Sequence, residues 1–157
     1  MDNARPLSAP MVNRSLDVKK DPFCPQEDSK EILGPQVPYL SAIGALMYLA
    51  NCTQPDIAFL VNLLARYSFV PTRRHCNGIK HVLRYLHETT DLGLFYPKGS
   101  NLQLIGYADA GYLSDPHKDR SQRRYLFICG NTTISWRSVK KNIINYLLKS
   151  LRNYCNP

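Results

Sequence analysis

Segment 102–112, which reads LQLIGYADAGY, constrains the fold of this sequence more than any other stretch. Its first apolar residues alternate with Gln103, and this period of two predicts a β-strand. The strand leads to Asp109 between two alanines, and a carboxylate held on a rigid strand near the core is a frequent arrangement in catalytic sites. An Asp close to a Gly, here Gly111, is also an ordinary turn signal. The pattern therefore leaves two interpretations open, a site carboxylate or a turn.

Two more strands are predicted after this one. They read YLFIC at 125–129 and TTISW at 132–136, and the Gly130-Asn131 pair between them is typical of a two-residue β-hairpin turn. The three strands would form an antiparallel meander. A further short strand, LGLFY, is predicted at 92–96, and a turn-rich break follows it.

Three helices are predicted between residues 39 and 96. The first, 39–50, carries apolar residues at helical spacing. The second starts with Thr53 as a cap and Pro55 in its first turn, and the third starts at Pro71-Thr72. The predicted core positions are Leu40, Ile43, Leu46, Met47, Ala50, Ile57, Leu60, Val61, Leu64, Tyr67, Ile79, Val82, Leu83 and Leu86. Together with the meander, these helices predict an α+β fold.

Composition divides the chain into three parts. Residues 1–38 contain six prolines and mixed charges, which break any helix of useful length and predict an extended, solvated arm. Residues 39–96 hold the helices. Residues 102–157 hold the strands and a last apolar segment, 142–151, with helical spacing. That segment would pack on the meander or fray.

Composition also excludes several classes of protein. No run of about 18 apolar residues is present, so no transmembrane helix and no membrane partner are expected. The N-terminus lacks the apolar region of a secretory signal, which predicts an intracellular location. The five cysteines form no CxxC pair and are odd in number, so free thiols are a simpler expectation than disulfides or a zinc site.

The net charge of +8 is concentrated at one end of the chain. Up to Asp119 the sequence contains twelve basic and twelve acidic residues, whereas residues 120–157 contain eight basic residues and no acidic one. A basic segment of this kind can hold phosphates by charge alone. It can equally be a solvated tail, and the sequence leaves both interpretations open.

The third predicted helix carries the clearest candidate for a nucleic-acid contact. Lys80, Arg84 and His87 are spaced i, i+4 and i+7 and so share one face, and Arg73 and Arg74 begin the same helix. A basic ridge of this kind can bind the phosphate backbone. A solvated basic face is the alternative.

Four stretches, in this order and spacing, resemble the C-terminal part of a copia-type retrotransposon Pol polyprotein of the kind abundant in plant genomes. They are YLSAIGALMYLANCTQPDIAF at 39–59, LLARYSFVPTRRHCNGIKHVLRYLHETTDLGLFY at 63–96, LIGYADAGYLSD at 104–115 and ISWRS at 134–138. The resemblance implies that residues 39–96 correspond to a helical thumb or connection after the reverse transcriptase palm. It implies that residues 102–157 are the start of a ribonuclease H-like domain, truncated after three strands.

The same resemblance places Asp109 at the first catalytic aspartate of ribonuclease H, where it would be a metal ligand. Two-metal hydrolysis needs several carboxylates, because Mg²⁺ prefers hard oxygen ligands. The family supplies a Glu on the following helix and a further Asp, but this sequence has no Asp or Glu after Asp119. Arg123-Arg124 also stands where the family has a small residue and a Gly. The Mg²⁺ site is therefore expected to be incomplete, and no cofactor is expected.

The expected function follows from this shortage of carboxylates. The sequence also lacks the YxDD-type pair of a polymerase palm. The chain is interpreted as a catalytically inactive remnant of a reverse transcriptase/ribonuclease H polyprotein, with weak, sequence-independent binding to an RNA–DNA hybrid or DNA. One alternative is an RNA–DNA hybrid ribonuclease whose missing ligands come from another chain. Another is a marginally stable fragment, since a sheet cut after three strands leaves an unpaired edge.

Overall fold

A computed structural model describes residues 7–11, Phe23, 38–98, 103–115 and 120–140. It shows three α-helices followed by a three-stranded antiparallel sheet, which is the predicted α+β arrangement. The helices are α1 (Tyr39–Cys52), α2 (Ala58–Ala65), which follows a single 3₁₀ turn (Pro55–Ile57), and α3 (Arg73–Glu88). The strands are β1 (Leu104–Asp115), β2 (Arg120–Cys129) and β3 (Thr132–Lys140). The predicted helical segment 142–151 lies outside the described residues.

The three helices share one hydrophobic core. α2 is apolar on most sides, and α1 and α3 each contribute one buried stripe. The stripe of α1 runs through Tyr39 and Ile43, so the predicted core residue Leu40, about 100° round the helix, is exposed. On α3, Tyr85 faces the core and the predicted core residue Leu83 is exposed. The buried apolar residues of the helices are Tyr39, Ile43, Leu46, Ala50, Ile57, Ala58, Leu60, Val61, Leu63, Leu64, Tyr67, Ile79, Val82 and Tyr85.

The start of the second helix differs from the sequence prediction at one residue. Thr53 does not cap it; Thr53 ends α1 instead, where its backbone N–H donates to the Leu49 carbonyl at 2.9 Å. Pro55 takes the first position of the 3₁₀ turn, where its missing N–H has no helical partner to lose. The Asp56 carboxylate accepts the backbone N–H of Ile57 at 3.0 Å, as suits an acidic residue in a first turn.

α3 begins with a capping box made by Thr72 and His75. Nδ1 of His75 accepts the backbone N–H of Thr72 at 3.0 Å, and the imidazole stacks on Tyr67 with ring centroids 4.0 Å apart. Both members of the box are buried. The buried N–H of Thr72 would cost free energy without this acceptor, so His75 stabilises the fold.

Two tyrosine hydroxyls, one buried and one partly buried, connect the helices. Tyr39 donates to the Leu64 carbonyl at 2.9 Å and joins α1 to α2, and Tyr85 donates to the Asp56 carboxylate and joins α3 to the 3₁₀ turn. Burial raises the pKa of Tyr39. The hydrogen bond to Asp56, together with burial, raises the pKa of Tyr85 to about 12. Both hydroxyls therefore remain protonated donors at neutral pH.

Part of the N-terminal arm packs on the helices, although the sequence predicts a solvated arm. Phe23 is buried beside α3, where Gly78 leaves room for its ring: a Cβ added at Gly78 would lie 2.9 Å from Cε1 of Phe23. Nε2 of His81 donates to the Ala9 carbonyl at 3.1 Å. The large apolar Phe23 explains the difference, because its burial removes apolar surface from water.

The sheet has the strand order β1-β2-β3, and the predicted hairpin between β2 and β3 is confirmed. Gly130 has φ 58° and Asn131 has φ 65°, and two successive positive φ angles are what a type I′ turn requires. β2 begins earlier than predicted, at Arg120, and β3 ends later, at Lys140. The strands extend beyond their apolar stretches because each added residue pairs further backbone N–H and C=O groups. The apolar pattern of the sequence does not report this backbone pairing.

The predicted strand at 92–96 is wrong. This segment has no backbone ladder in the described structure, and hydroxyl groups link it to β3 instead. Tyr96 donates through its hydroxyl to the Thr133 carbonyl at 3.2 Å, and Thr132 donates through its hydroxyl to the Phe95 carbonyl. The apolar segment 92–96 is thus a connection between α3 and the sheet and not a fourth strand.

One face of the sheet, here called the inner face, packs on the helices. The indole N–H of Trp136 donates to the Ala50 carbonyl at 2.6 Å, and Nη2 of Arg66 donates to Oε1 of Gln122 at 2.9 Å. Direct cross-strand partners share a face. The inner rows include Asp109–Arg124–Ser138 and Tyr107–Leu126–Trp136, and the rows of the opposite, outer face include Ala108–Tyr125–Arg137 and Gly106–Phe127–Ser135.

Two expectations from composition can be checked on the described residues. Cys52, Cys76 and Cys129 are free thiols, as predicted. Within the described ranges no helix is both long enough and apolar enough to cross a membrane.

Candidate functional site

Asp109 lies within β1, so the interpretation of this residue as a turn is wrong. The pairing of β1 with β2 runs without a shift from Leu104 to Gly111, and β1 continues to Asp115. The Asp109 side chain belongs to the inner face, yet 61% of it is exposed. This exposure arises because β1 is an edge strand of the sheet.

The charge of Asp109 is balanced by Arg124. The two residues are direct partners in the β1–β2 register, and Nη2 of Arg124 lies 2.9 Å from Oδ2 of Asp109. The guanidinium also lies 4.9 Å from the ring centre of Phe59 on α2, which is a cation–π distance. Nε of Arg124 is buried without a hydrogen-bond partner among the described residues. Arg124, noticed in the sequence only as a departure from the family pattern, is thus the counter-ion of the predicted catalytic residue.

This ion pair borders a cleft of about 390 Å³ between the inner face of the sheet and α2. Much of the lining is apolar or aromatic, and the Asp109–Arg124 pair supplies its charged groups. The lining residues that define its walls are Pro55, Ala58 and Phe59 on the helical side and Tyr107, Leu126 and Trp136 on the sheet side. An apolar cleft bordered by a few polar groups has the general composition of a small-molecule site.

The residues around Asp109 do not fit a divalent metal. A two-metal site needs several oxygen ligands, and Asp109 already pairs with the Arg124 guanidinium at 2.9 Å. Within the described ranges no three His, Cys, Asp or Glu residues come together as a metal site. No catalytic step through Mg²⁺ can therefore be derived from this arrangement.

Four of the five predicted nucleic-acid residues line one face of α3, here called the α3 ridge: Arg73, Lys80, Arg84 and His87. At 3.6 residues per turn they fall within about 40° of a common line, and they span about 21 Å along the axis. All are exposed except Arg84, which is half-buried. Nδ1 of His87 lies 3.7 Å from Oε1 of Glu88. The fifth residue, Arg74, is also exposed, about 100° from Arg73.

The outer face of the sheet carries a set of side chains that the sequence reasoning missed. Tyr125 and Phe127 of the central strand are both exposed there, and Arg123 and Arg137 are exposed beside them. The signal was present in the sequence RRYLFIC, where alternate residues of a strand must point to opposite faces. Only the packing of the helices shows which of the two faces is covered.

Comparison with other proteins places the chain among transposon sequences. It is 38% identical over 138 residues, 88% of its length, to a retrovirus-related Pol polyprotein from transposon TNT 1-94 of Nicotiana tabacum. It is 42% identical over 103 residues, 66% of its length, to the corresponding protein from transposon RE2 of Arabidopsis thaliana. It is also 41% identical over 108 residues to a secreted RxLR effector protein 161 of Plasmopara viticola, covering 69% of this chain and 76% of that protein.

The chain belongs to the family of retrovirus-related Pol polyproteins of transposons. It spans 10% of the length of the TNT 1-94 polyprotein and 7% of the RE2 polyprotein. No protein-family model matches the chain, and no solved structure matches it.

Proposed function

We propose that this chain is a transposon Pol remnant that binds the phosphate backbone of nucleic acid through the α3 ridge and does not cleave it. The observation that carries the proposal is the alignment of Arg73, Lys80 and Arg84 on one face of a helix whose opposite face is buried in the core. A rigid row of cations on a packed helix can contact successive phosphates with little further ordering.

The chemistry of the ridge favours a sequence-independent ligand. Lys and Arg neutralise phosphates and release counterions, and such contacts carry no base information. An RNA–DNA hybrid and duplex DNA both present such phosphates, so either is a suitable ligand. In this proposal residues 39–96 derive from the segment that follows a reverse transcriptase palm, and residues 102–157 from a copia-type, ribonuclease H-like region.

The absence of cleavage is supported by the surroundings of Asp109. Its carboxylate faces Arg124 instead of further carboxylates, and the sequence supplies no Asp or Glu after Asp119. A lone carboxylate with a permanent counter-ion cannot hold two metal ions at the short separation that phosphodiester hydrolysis requires.

Salt-dependent binding of the purified chain to duplex DNA tests the ridge. Replacing Arg73 and Lys80 together by Gln is expected to weaken binding for every sequence and to reduce the slope of log K against log salt by about 1.8, since each lost phosphate contact removes about 0.9. Lys98→Gln is the matched control, because Lys98 is an exposed cation outside α3. A reduction of the slope by about 0.9 in Lys98→Gln, equal per removed charge to that of the double variant, would show that binding follows total charge and not the ridge.

Cleavage of a labelled RNA–DNA hybrid in Mg²⁺ or Mn²⁺ tests the other half of the proposal. Neither the native chain nor Asp109→Asn is expected to cleave the hybrid. Cleavage that disappears in Asp109→Asn would overturn the proposal and favour a ribonuclease completed by ligands from another chain.

A further inference from the structure

The outer face of the sheet is built around two aromatic side chains of its central strand. Tyr125 is 38% exposed and Phe127 is 40% exposed, and their ring centroids lie 5.6 Å apart with planes tilted by 57°. On the inner face of the same strand, Leu126 lies in a row with Trp136, which bonds to α1. Burial of aromatic rings is favourable, so a pair left on the open face calls for a physical explanation.

Phe127 has a structural role that Tyr125 lacks. Phe127 pairs across the strands with Gly106, and its ring covers that glycine so closely that an added Cβ would lie 2.7 Å from Cε1. Covering a strand glycine with a cross-strand aromatic ring stabilises a sheet. Tyr125 instead pairs with Ala108. Gly106 and Ala108 are small residues, so no large β1 side chain stands beside the rings on this face. Both rings can therefore be approached from solvent.

Among the described residues, the charged side chains beside the rings are both basic. Arg137 is the direct cross-strand partner of Tyr125, and Arg123 lies two residues before Tyr125 on the same face. Both arginines are exposed. The rows Ala108–Tyr125–Arg137, Gly106–Phe127–Ser135 and Ala110–Arg123–Val139 contain no acidic residue, whereas Asp109 belongs to the inner face. The rings and cations are therefore arranged for an anionic ligand with exposed planar groups.

We infer that the outer face is a binding site for single-stranded nucleic acid. Bases stack on Tyr125 and Phe127, and Arg123 and Arg137 hold the adjoining phosphates. A single strand offers free base faces, which a duplex keeps stacked, and stacking on aromatic residues next to a basic surface is the usual basis of such binding. This site goes beyond the proposed function, because it lies on a different element from the α3 ridge and selects unpaired bases.

A second copy of the chain fits this face less well. Face-to-face pairing of two copies about a two-fold axis would bring Arg123 and Arg137 of each copy towards the same cations of the other. Juxtaposed like charges oppose association. A polyanion meets no such repulsion.

Three probes separate base stacking from charge: an oligo(dT) strand, an abasic strand of the same length, and a mixed-sequence duplex. Tyr125→Leu keeps an apolar side chain on the strand but removes the π-face. It is expected to weaken binding of oligo(dT) about tenfold, because stacking on one aromatic ring contributes on that scale. Binding of the abasic strand and of the duplex is expected to change less than about twofold, because phosphate contacts are retained.

Two further variants keep the test decisive. Tyr125→Trp is expected to restore oligo(dT) binding, and Arg137→Gln, which leaves the apolar surface of the sheet unchanged, is expected to reduce the single-strand salt slope by about 0.7. Thermal unfolding of each variant checks that the fold is retained. An equal loss of binding for the oligo(dT) and abasic strands, or no loss in either Tyr125→Leu or Arg137→Gln, would overturn the inference. A concentration-dependent dimer without a preference for oligo(dT) would overturn it as well.

The proposal for the α3 ridge and the proposal for the outer face can be refuted separately. The Arg73→Gln/Lys80→Gln double variant is expected to lose duplex binding yet keep its preference for oligo(dT) over the abasic strand. A native chain that binds duplex but shows no such preference would leave the ridge in place and remove the outer-face site.

Discussion

The helical region and the sheet use polar side chains in opposite ways. In the helices, Thr72 and His75 are buried and bonded to each other, and the partly buried hydroxyl of Tyr85 donates to Asp56. On the sheet, the Asp109 side chain is 61% exposed and Tyr125 is 38% exposed. Polar groups inside the protein must be paired, whereas exposed ones are free to meet a ligand. His75 and Tyr85 of α3 therefore serve stability, and the candidate ligand contacts lie on the α3 ridge and the sheet.

The same contrast holds for apolar side chains. Leu64 on α2 has no exposed surface, while Leu104 on β1 is 62% exposed. β1 is an edge strand whose residues 104–109 are all exposed. The helices thus have a core of their own, and the sheet attaches to it mainly through β2 and β3. The free energies of unfolding of matched variants in the helices and in the sheet measure this difference in burial.

The largest expected effect is that of shortening a buried leucine. Leu64→Ala is expected to lower the free energy of unfolding by about 2–5 kcal/mol, because it removes buried methyl groups and leaves a cavity. Leu104→Ala, the matched change on β1, is expected to alter it by no more than about 0.5 kcal/mol. Urea denaturation of both variants gives the two values. Equal losses would mean that β1 shares in the core of the protein and would remove the contrast.

An intermediate effect is expected at the bond between Tyr85 and Asp56. Tyr85→Phe removes a hydroxyl that donates to the exposed carboxylate of Asp56, and it is expected to cost about 0.5–1.5 kcal/mol in the free energy of unfolding at neutral pH. The pKa of Tyr85 is raised from 10.0 to about 12 in the folded protein, first by this hydrogen bond and then by burial. The unfolded state therefore loses the proton first as the pH rises. The stabilising contribution is complete below pH 10 and is lost between pH 10 and pH 12.

The stability difference between the native chain and Tyr85→Phe, measured across that pH range, isolates this one group. The difference is expected to shrink as the pH rises. A difference that stays constant up to pH 12 would show that the hydroxyl titrates in the folded state as it does in the unfolded state.

The smallest expected effect is at the ion pair of the sheet. Asp109 and Arg124 are 61% and 41% exposed, and exposed ion pairs contribute only about 0.2–1 kcal/mol. A double-mutant cycle with Asp109→Asn and Arg124→Gln is expected to give a coupling energy in that range. A coupling energy well above it would place this pair with the buried polar groups of the helices and contradict the comparison.

Particular residues show how much of the fold can be predicted from the sequence. The stripe Ile43–Leu46–Ala50 and the Gly130-Asn131 turn were predicted correctly, because helical spacing and positive φ angles are properties of short segments. Leu40 and Leu83 were misplaced, since two adjacent stripes of a helix can look equally apolar and the neighbouring elements decide which is buried. The segment 92–96 was misassigned because a strand also needs a partner, which local pattern does not supply.

By itself, the sequence determined the family, the α+β order of elements, the cationic face of the third helix and the shortage of carboxylates beyond Asp119. These are properties of residue type and local spacing. The tertiary structure decided what lies opposite each residue. It placed Arg124 against Asp109, buried His75 under the start of α3, and left Tyr125 on the uncovered side of the sheet. Contacts across strands and between helices join residues far apart in the chain, so only the folded register and packing define them.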